Sequence, residues 1–146
     1  QLVAACDLAV AADDSRFATS GINVGLFCST PSVPVSRNLG RKQAMELLLT
    51  GHFIDAHTAL QWGLVNRVVP ASRLDQEVAD LAGSIMSKSW VAVATGKRMF
   101  YKQLELPLES AYDYASGVMA GNMMADDVEE GVDAFMQKRT PVWKHQ

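Results

Sequence analysis

The stretch TGHFIDAHTALQWGLVNRVVP, residues 50–70, constrains the fold more than any other part of the chain. Glycines at 51 and 63 offer the left-handed backbone on which helices end, so helices are predicted to stop at Thr50 and Trp62. Asp55 stands where a side-chain oxygen can accept from the free N–H groups at the start of a short helix running through Trp62. Val65 to Val69 then reads as a strand closed by Pro70, whose missing N–H cannot continue a ladder. Such a helix-to-strand unit belongs to mixed α/β architecture, in which helices return to a sheet.

Upstream of it, Gln1 to Cys6 is small and apolar and reads as the end of a helix stopping at Asp7. Leu8 to Ala12 is a short apolar run bounded by Asp13 and Asp14, and Arg16 to Thr19 suits a second strand across that acidic turn. Gly21, Gly25, Pro31 and Pro34 punctuate Ser20 to Ser36, which reads as a loop with room for one helical turn. From Arg41, Ala44, Met45 and Leu47 to Leu49 follow helical spacing up to Gly51. Everything after Pro70 reads as helix. Ser72 with Asp75 resembles a capping box ahead of Leu74, Val78, Leu81, Ala82 and Ile85. A second helix is predicted near Val91 to Gln103, and a third from Pro107 with Leu108, Ala111, Tyr112, Ala115 and Met119 on one face. The last has Asp126 as its cap and an apolar stripe of Val128, Val132, Phe135 and Met136. Acids crowd its start and Lys138-Arg139 its end, as the helix dipole prefers. A boundary near Pro70 therefore separates a mixed half, residues 1–70, from a helical half, residues 71–146.

Composition narrows the function classes. With 49% hydrophobic and 20% charged residues, the chain has enough apolar content for a folded domain. A net charge of −3 lacks the concentrated positive charge that a phosphate backbone demands, which argues against a nucleic-acid partner. No segment approaches the roughly 20 apolar residues of a membrane span. Cys6 and Cys28 lie in apolar or small-residue surroundings and read as buried, reduced thiols, which points to a reducing compartment, the cytoplasm or mitochondrial matrix. His52, His57 and His145 share no ligand-like spacing, so no metal is expected.

Three pieces, LVAACDLAVAADDSRFATSGINVGL, TGHFIDAHTALQWGLVNRVVP and DDVEEGVDAFMQKRTPVW, together resemble the C-terminal half of the crotonase superfamily, the enoyl-CoA hydratase/isomerase family. The middle piece is the most specific, and FATSGINVGLFCSTP and FYKQL point to a divergent branch of that family. The resemblance implies an α/β (α+β) fold, with the C-terminal part of a crotonase-like ββα core in residues 1–70. It implies that residues 71–146 are a helical region that makes trimers, commonly stacked as hexamers. It implies an acyl-CoA partner, a place in fatty-acid metabolism, and no cofactor beyond the CoA thioester as substrate or ligand. Two backbone N–H groups of an oxyanion hole stabilise the enolate in this family. By resemblance both precede Gln1, so a further N-terminal half is expected outside this chain.

The resemblance also assigns positions. The two glutamates with which family hydratases activate and protonate fall on Gln1 and Gly21. Glutamine can orient a water but has no proton affinity near neutral pH, and glycine has no side chain. Hydration by the usual pair is therefore unavailable, and restoring both glutamates is expected to recover it. Phe27 and Cys28 lie on the loop that faces the acyl group, with Asn23, Ser29 and Ser36. Cys28 is the one with nucleophilic potential, or else a buried structural thiol. Phe135 and Lys138, three residues apart, share a helix face. By resemblance they meet the adenine and phosphates of CoA; the plainer reading is core packing and capping. Met119, Met123 and Met124 read as helix packing or trimer interface, with a flexible ligand surface as the alternative. The function implied is a CoA-binding, enoyl-CoA hydratase/isomerase-like protein. The alternatives are a non-catalytic CoA-thioester binding or scaffold protein, or a helical interaction fragment. The apolar runs Leu8 to Ala12 and Val65 to Val69 are expected to need cover from outside the chain.

Overall fold

Helix α1, Leu2–Ala5, ends where Cys6 turns to extended backbone in the computed structural model, which describes residues 1–144. The chain then forms β1, Val10–Ala12, and β2, Arg16–Phe17. A 3-10 turn, Ser20–Val24, leads to α2, Ser29–Asn38, and then to α3, Arg41–Thr50. Strand β3, Ile54–Asp55, runs into α4, Ala56–Trp62, and β4, Arg67–Val69, follows. The local signals around α3 and α4 hold: Gly51 (φ 61°) and Gly63 (φ 86°) are left-handed, and the Asp55 carboxylate accepts from the Thr58 N–H at 2.7 Å.

β1 and β4 pair in parallel, with Val10, Ala11 and Ala12 opposite Arg67, Val68 and Val69. Asn66 fastens one end of the ladder: its N–H donates to the Ala9 carbonyl and its side-chain oxygen accepts from the Ala9 N–H, each at 2.8 Å. β2 and β3 are antiparallel, Arg16 opposite Asp55 and Phe17 opposite Ile54. The two apolar runs thus pair along one edge each, with Ala11, Ala12 and Val65 buried and Leu8 43% exposed. Around them a core gathers Ala4, Val35, Leu39, Ala44, Leu47, Ala56, Ala59 and Leu64. Its many alanines let helices and sheet approach closely, at the cost of little apolar area per residue.

Helix α2 corrects the loop read over residues 20–36. Pro31 sits in its first turn, where no intrahelical N–H is needed. Pro34 lies inside the helix and carries the interior penalty of about 3 kcal/mol. Tertiary packing offsets it, because Val35 and Leu39 are buried and the Asn38 amide donates at 2.8 Å both to the Pro34 carbonyl and to the Ala4 carbonyl of α1.

After Pro70 a second 3-10 turn, Ala71–Arg73, winds directly into α5, Leu74–Met86. Ser72 lies within that turn, so it does not head a capping box; Glu77 instead receives Arg67 at 2.6 Å. Helices α6, Trp90–Gln103, α7, Leu108–Asn122, and α8, Asp126–Gln137, complete the described chain. Ser89 caps α6, its Oγ accepting from the Ala92 N–H at 3.3 Å. Ala125, not Asp126, holds the N-cap position of α8. The chain divides into two compact units, Gln1–Asp80 and Leu81–Gln146. In the second, Ala111 and Ala134 are the buried apolar residues among those described, while Met119, Met123 and Met124 are exposed. Those methionines are therefore largely unpacked within this chain, which speaks against helix packing and leaves the interface and ligand-surface readings.

Candidate functional site

The loop carrying Gly21, Phe27 and Cys28 is placed by its neighbours in the first unit. Buried Thr19 donates its hydroxyl to the Leu47 carbonyl at 2.8 Å, tying the 3-10 turn to α3. Gly51 lets the turn come close: a Cβ there would lie 2.7 Å from Ile22 Cγ2 and 3.0 Å from both polar atoms of the Asn23 side chain. The turn closes through Gly25, whose φ of 81° only glycine adopts without strain, and the Leu26 N–H donates back to the Gly21 carbonyl at 3.0 Å.

That closure decides what Gly21 can be. A Cβ on Gly21 would stand 2.7 Å from the Leu26 carbonyl oxygen and 2.8 Å from Cys28 Sγ. The sulfur could rotate away; the backbone oxygen cannot without moving the turn. The position to which the resemblance assigns a carboxylate thus has no room for a side chain unless the turn moves. Gln1 is exposed ahead of α1, with its carbonyl accepting from the Ala5 N–H at 3.0 Å and its side chain making no cap. Phe27 is 40% exposed and Cys28 half-buried. Among the described residues nothing hydrogen-bonds the Cys28 sulfur. Cys6 is exposed, contrary to the buried thiol expected, because it follows the end of α1 in extended backbone. The structure therefore brings Gly21 and Cys28 together, and ties α1, which Gln1 heads, to α2 through Asn38.

The second group lies at the end of α8. Phe135 is 81% exposed. Lys138 is exposed too, but it is not on the helix: with φ 53° it is the one non-glycine residue of positive φ among those described. Its N–H returns to the Phe135 carbonyl at 3.2 Å and that of Arg139 to the Ala134 carbonyl at 3.0 Å, a Schellman-type stop. Helical spacing ends at Gln137, so the shared-face argument for Phe135 and Lys138 does not apply; the two are joined by the turn instead. Of the apolar stripe of α8, Val132, Phe135 and Met136 are exposed and Val128 is half-buried, while Asp127 and Ala134 are buried.

Polar contacts hold the buried side of the helix, and sequence reading missed them. The Asp127 carboxylate accepts from the buried Ser89 hydroxyl and, at 2.7 Å, from the Lys144 N–H. Glu130 accepts both Arg139 Nη1 and Nη2, at 2.6 and 2.9 Å, and the Val142 N–H at 2.7 Å. The Arg139 hydrogen bonds, foremost, hold the Glu130 carboxyl far below its usual range, at about 2. The Trp143 indole donates to the Ser87 carbonyl at 2.8 Å. The only hint in the sequence was a run of acids followed by two cations.

A cleft of about 480 Å³ in the second unit is lined by Arg98, Tyr114 and Asn122 among others and shares no residue with either group. No group of three or more His, Cys, Asp or Glu among the described residues is arranged to hold a metal, and His145 lies outside the described residues. No helix among the described residues is long and apolar enough to cross a membrane.

Comparison with known proteins draws these features together. The family model for enoyl-CoA hydratase/isomerase matches residues 1–146. Enoyl-CoA hydratase domain-containing protein 3, mitochondrial, of Rattus norvegicus is 52% identical over 145 residues, covering 99% of this chain and 48% of the rat protein. The crystal structure of an enoyl-CoA hydratase from Mycobacterium smegmatis superposes with a TM-score of 0.95 at 56% identity, over 97% of this chain and 55% of that one. That of human enoyl-CoA hydratase domain-containing protein 3 gives 0.93 at 51%, over 97% and 56%. The fold is therefore crotonase-like, and the chain spans about half the length of the curated relatives it matches.

Proposed function

The chain belongs to the enoyl-CoA hydratase/isomerase family, and from that premise we propose that it is an acyl-CoA-binding protein of fatty-acid metabolism without the acid–base pair of ordinary hydratases. The observation that carries the reading is the closed turn at Gly21, where a Cβ would meet the Leu26 carbonyl at 2.7 Å. Gln1 adds no proton affinity, so neither family position supplies a base or an acid. Phe27 and Cys28 border the acyl side, and Phe135 and Lys138 take the adenine and phosphates of CoA; the CoA thioester is the only ligand this reading needs. The names of the rat and human relatives support a mitochondrial location. The solvent-facing stripe of α8 and the exposed methionines of the helical unit support assembly as a homotrimer or hexamer.

Turnover of crotonyl-CoA by the complete protein tests this. Each missing acid or base group removes about 10² to 10⁴ in rate, so hydration should lie orders of magnitude below that of a two-glutamate relative while calorimetry still detects CoA binding. Gln1→Glu should be tolerated. Gly21→Glu should destabilise by about 1–3 kcal/mol and should not restore turnover even beside Gln1→Glu, because the added side chain displaces the turn. Binding without turnover of any enoyl-CoA would favour the second reading, a non-catalytic CoA-thioester binding protein, which the absence of both carboxylates also supports. Hydration at an ordinary hydratase rate overturns the proposal.

A further inference from the structure

Lys138 and Arg139 are adjacent cations with opposite fates. Every nitrogen of the Arg139 guanidinium is engaged: Nε donates to the Gln137 side chain at 2.8 Å, Nη1 to Glu130 and to the Thr140 carbonyl, and Nη2 to Glu130. Lys138, one residue earlier, is exposed and has no ion-pair partner among the described residues. It also holds left-handed backbone at φ 53°, a conformation that a side chain bearing a Cβ disfavours by about 1–2 kcal/mol. Such a residue persists where its surroundings over-determine it. Here they do: on one side Ala134 and Phe135 accept the N–H groups of residues 139 and 138, and on the other Glu130 grips both the Arg139 side chain and the Val142 N–H.

We propose that Glu130 is a positioning residue for the nucleotide end of CoA: by clamping Arg139 and Val142 it holds Lys138 in the left-handed turn that frees its ammonium for phosphate. The inference rests on the reading of Lys138 given above and adds the group that sets its geometry. Arg139 is assigned to structure and not to ligand, although as a guanidinium it is the better phosphate fork. A lysine left as a mobile point charge loses more freedom on binding than one pre-set by its backbone, so the clamp raises affinity without touching the ligand.

A double-mutant cycle on the complete protein tests the assignment, with calorimetric affinity for CoA and for the same acyl thioester lacking the adenine nucleotide. Lys138→Ala is expected to weaken CoA about ten-fold, the value of one charge-assisted hydrogen bond. Glu130→Ala should cost a similar factor in the Lys138 background, nothing further in the Lys138→Ala background, and nothing at all with the nucleotide-free thioester. Glu130→Gln, which keeps one acceptor for Val142, should give a smaller loss of the same pattern and serves if Glu130→Ala fails to fold. Equal losses in both backgrounds, or a loss shared by the nucleotide-free thioester, overturn the positioning role. If Glu130→Ala is silent while Lys138→Ala is not, only this inference falls. If Lys138→Ala itself is silent, the nucleotide reading of Lys138 falls, and the inference with it.

Discussion

The two units of the chain are held together by different physics. In Gln1–Asp80 an apolar core surrounds β1, α3 and α4, and Leu47 and Leu48 are each 3% exposed. In Leu81–Gln146 the buried apolar residues described are two alanines, while buried Ser89 and Asp127 bond to each other and Glu130 ties the tail to α8. Large apolar side chains are plentiful there, but they face outward. The lesson is that helical periodicity marks where an amphipathic helix lies and not which of its faces finds a partner within the same chain.

The sharpest way to break this comparison is to truncate a large side chain in each unit of the 146-residue chain and follow urea unfolding. Leu47→Ala should cost about 2–5 kcal/mol, through lost transfer energy and an unfilled cavity. Met124→Ala, at 84% exposure, should stay within about 0.5 kcal/mol. Comparable losses at the two sites would show that the helical unit has an apolar core of its own.

A smaller effect sharpens the other half of the contrast. Asp127→Ala leaves the Ser89 hydroxyl and the Lys144 N–H without their acceptor, and the buried one is costly, so a loss of about 1–3 kcal/mol is expected. Asp127→Asn keeps an acceptor and should cost less. If Asp127→Ala were neutral in the same denaturation experiment, the polar contacts would be consequences of the fold and not its support.

What could be read from the sequence follows the same division. The ends of α3 and α4 were legible because Gly51, Asp55 and Gly63 act on their own few neighbouring residues. Helix α2 was not, since Pro31 and Pro34 argue locally against it and only the burial of Val35 and Leu39 and the reach of Asn38 to α1 sustain it. At the candidate site, the identities at positions 1 and 21 carry the proposal that the usual acid–base pair is missing. That Gly21 has no room for a side chain follows from how the turn closes on the Leu26 carbonyl, which composition and spacing do not reveal. The polar contacts of α8 were hidden for a related reason. Buried Asp127 and half-buried Glu130 take partners, Ser89, Arg139, Val142 and Lys144, from outside the helix.

The mildest test uses acid. Glu130 has its carboxyl held at about 2 against an ordinary 4.5, foremost by the Arg139 hydrogen bonds and then by the Val142 N–H. Arg139 is pushed the other way and stays charged, so Glu130 is the member of the pair that titrates. A carboxylate whose value is depressed by folding contributes stability that is fully present above its unfolded value. That contribution is lost as pH falls from about 4.5 through about 2, where protonation costs the clamp its charge. In the first unit the Asp55 carboxyl is also lowered, by the Thr58 N–H foremost, so acid weakens the start of α4 in the same direction while leaving the apolar core untouched. The tail should therefore loosen before the first unit unfolds. The indole N–H resonance of Trp143, bonded to the Ser87 carbonyl at 2.8 Å, reports on the tail. It should move toward its free position between pH 4.5 and 2 in the wild-type chain, and at neutral pH it should already be part-way there in Glu130→Gln. A resonance that holds still through that window in the wild type, or that is unchanged by Glu130→Gln, would mean that the Trp143 contact and not the ion pair fastens the tail.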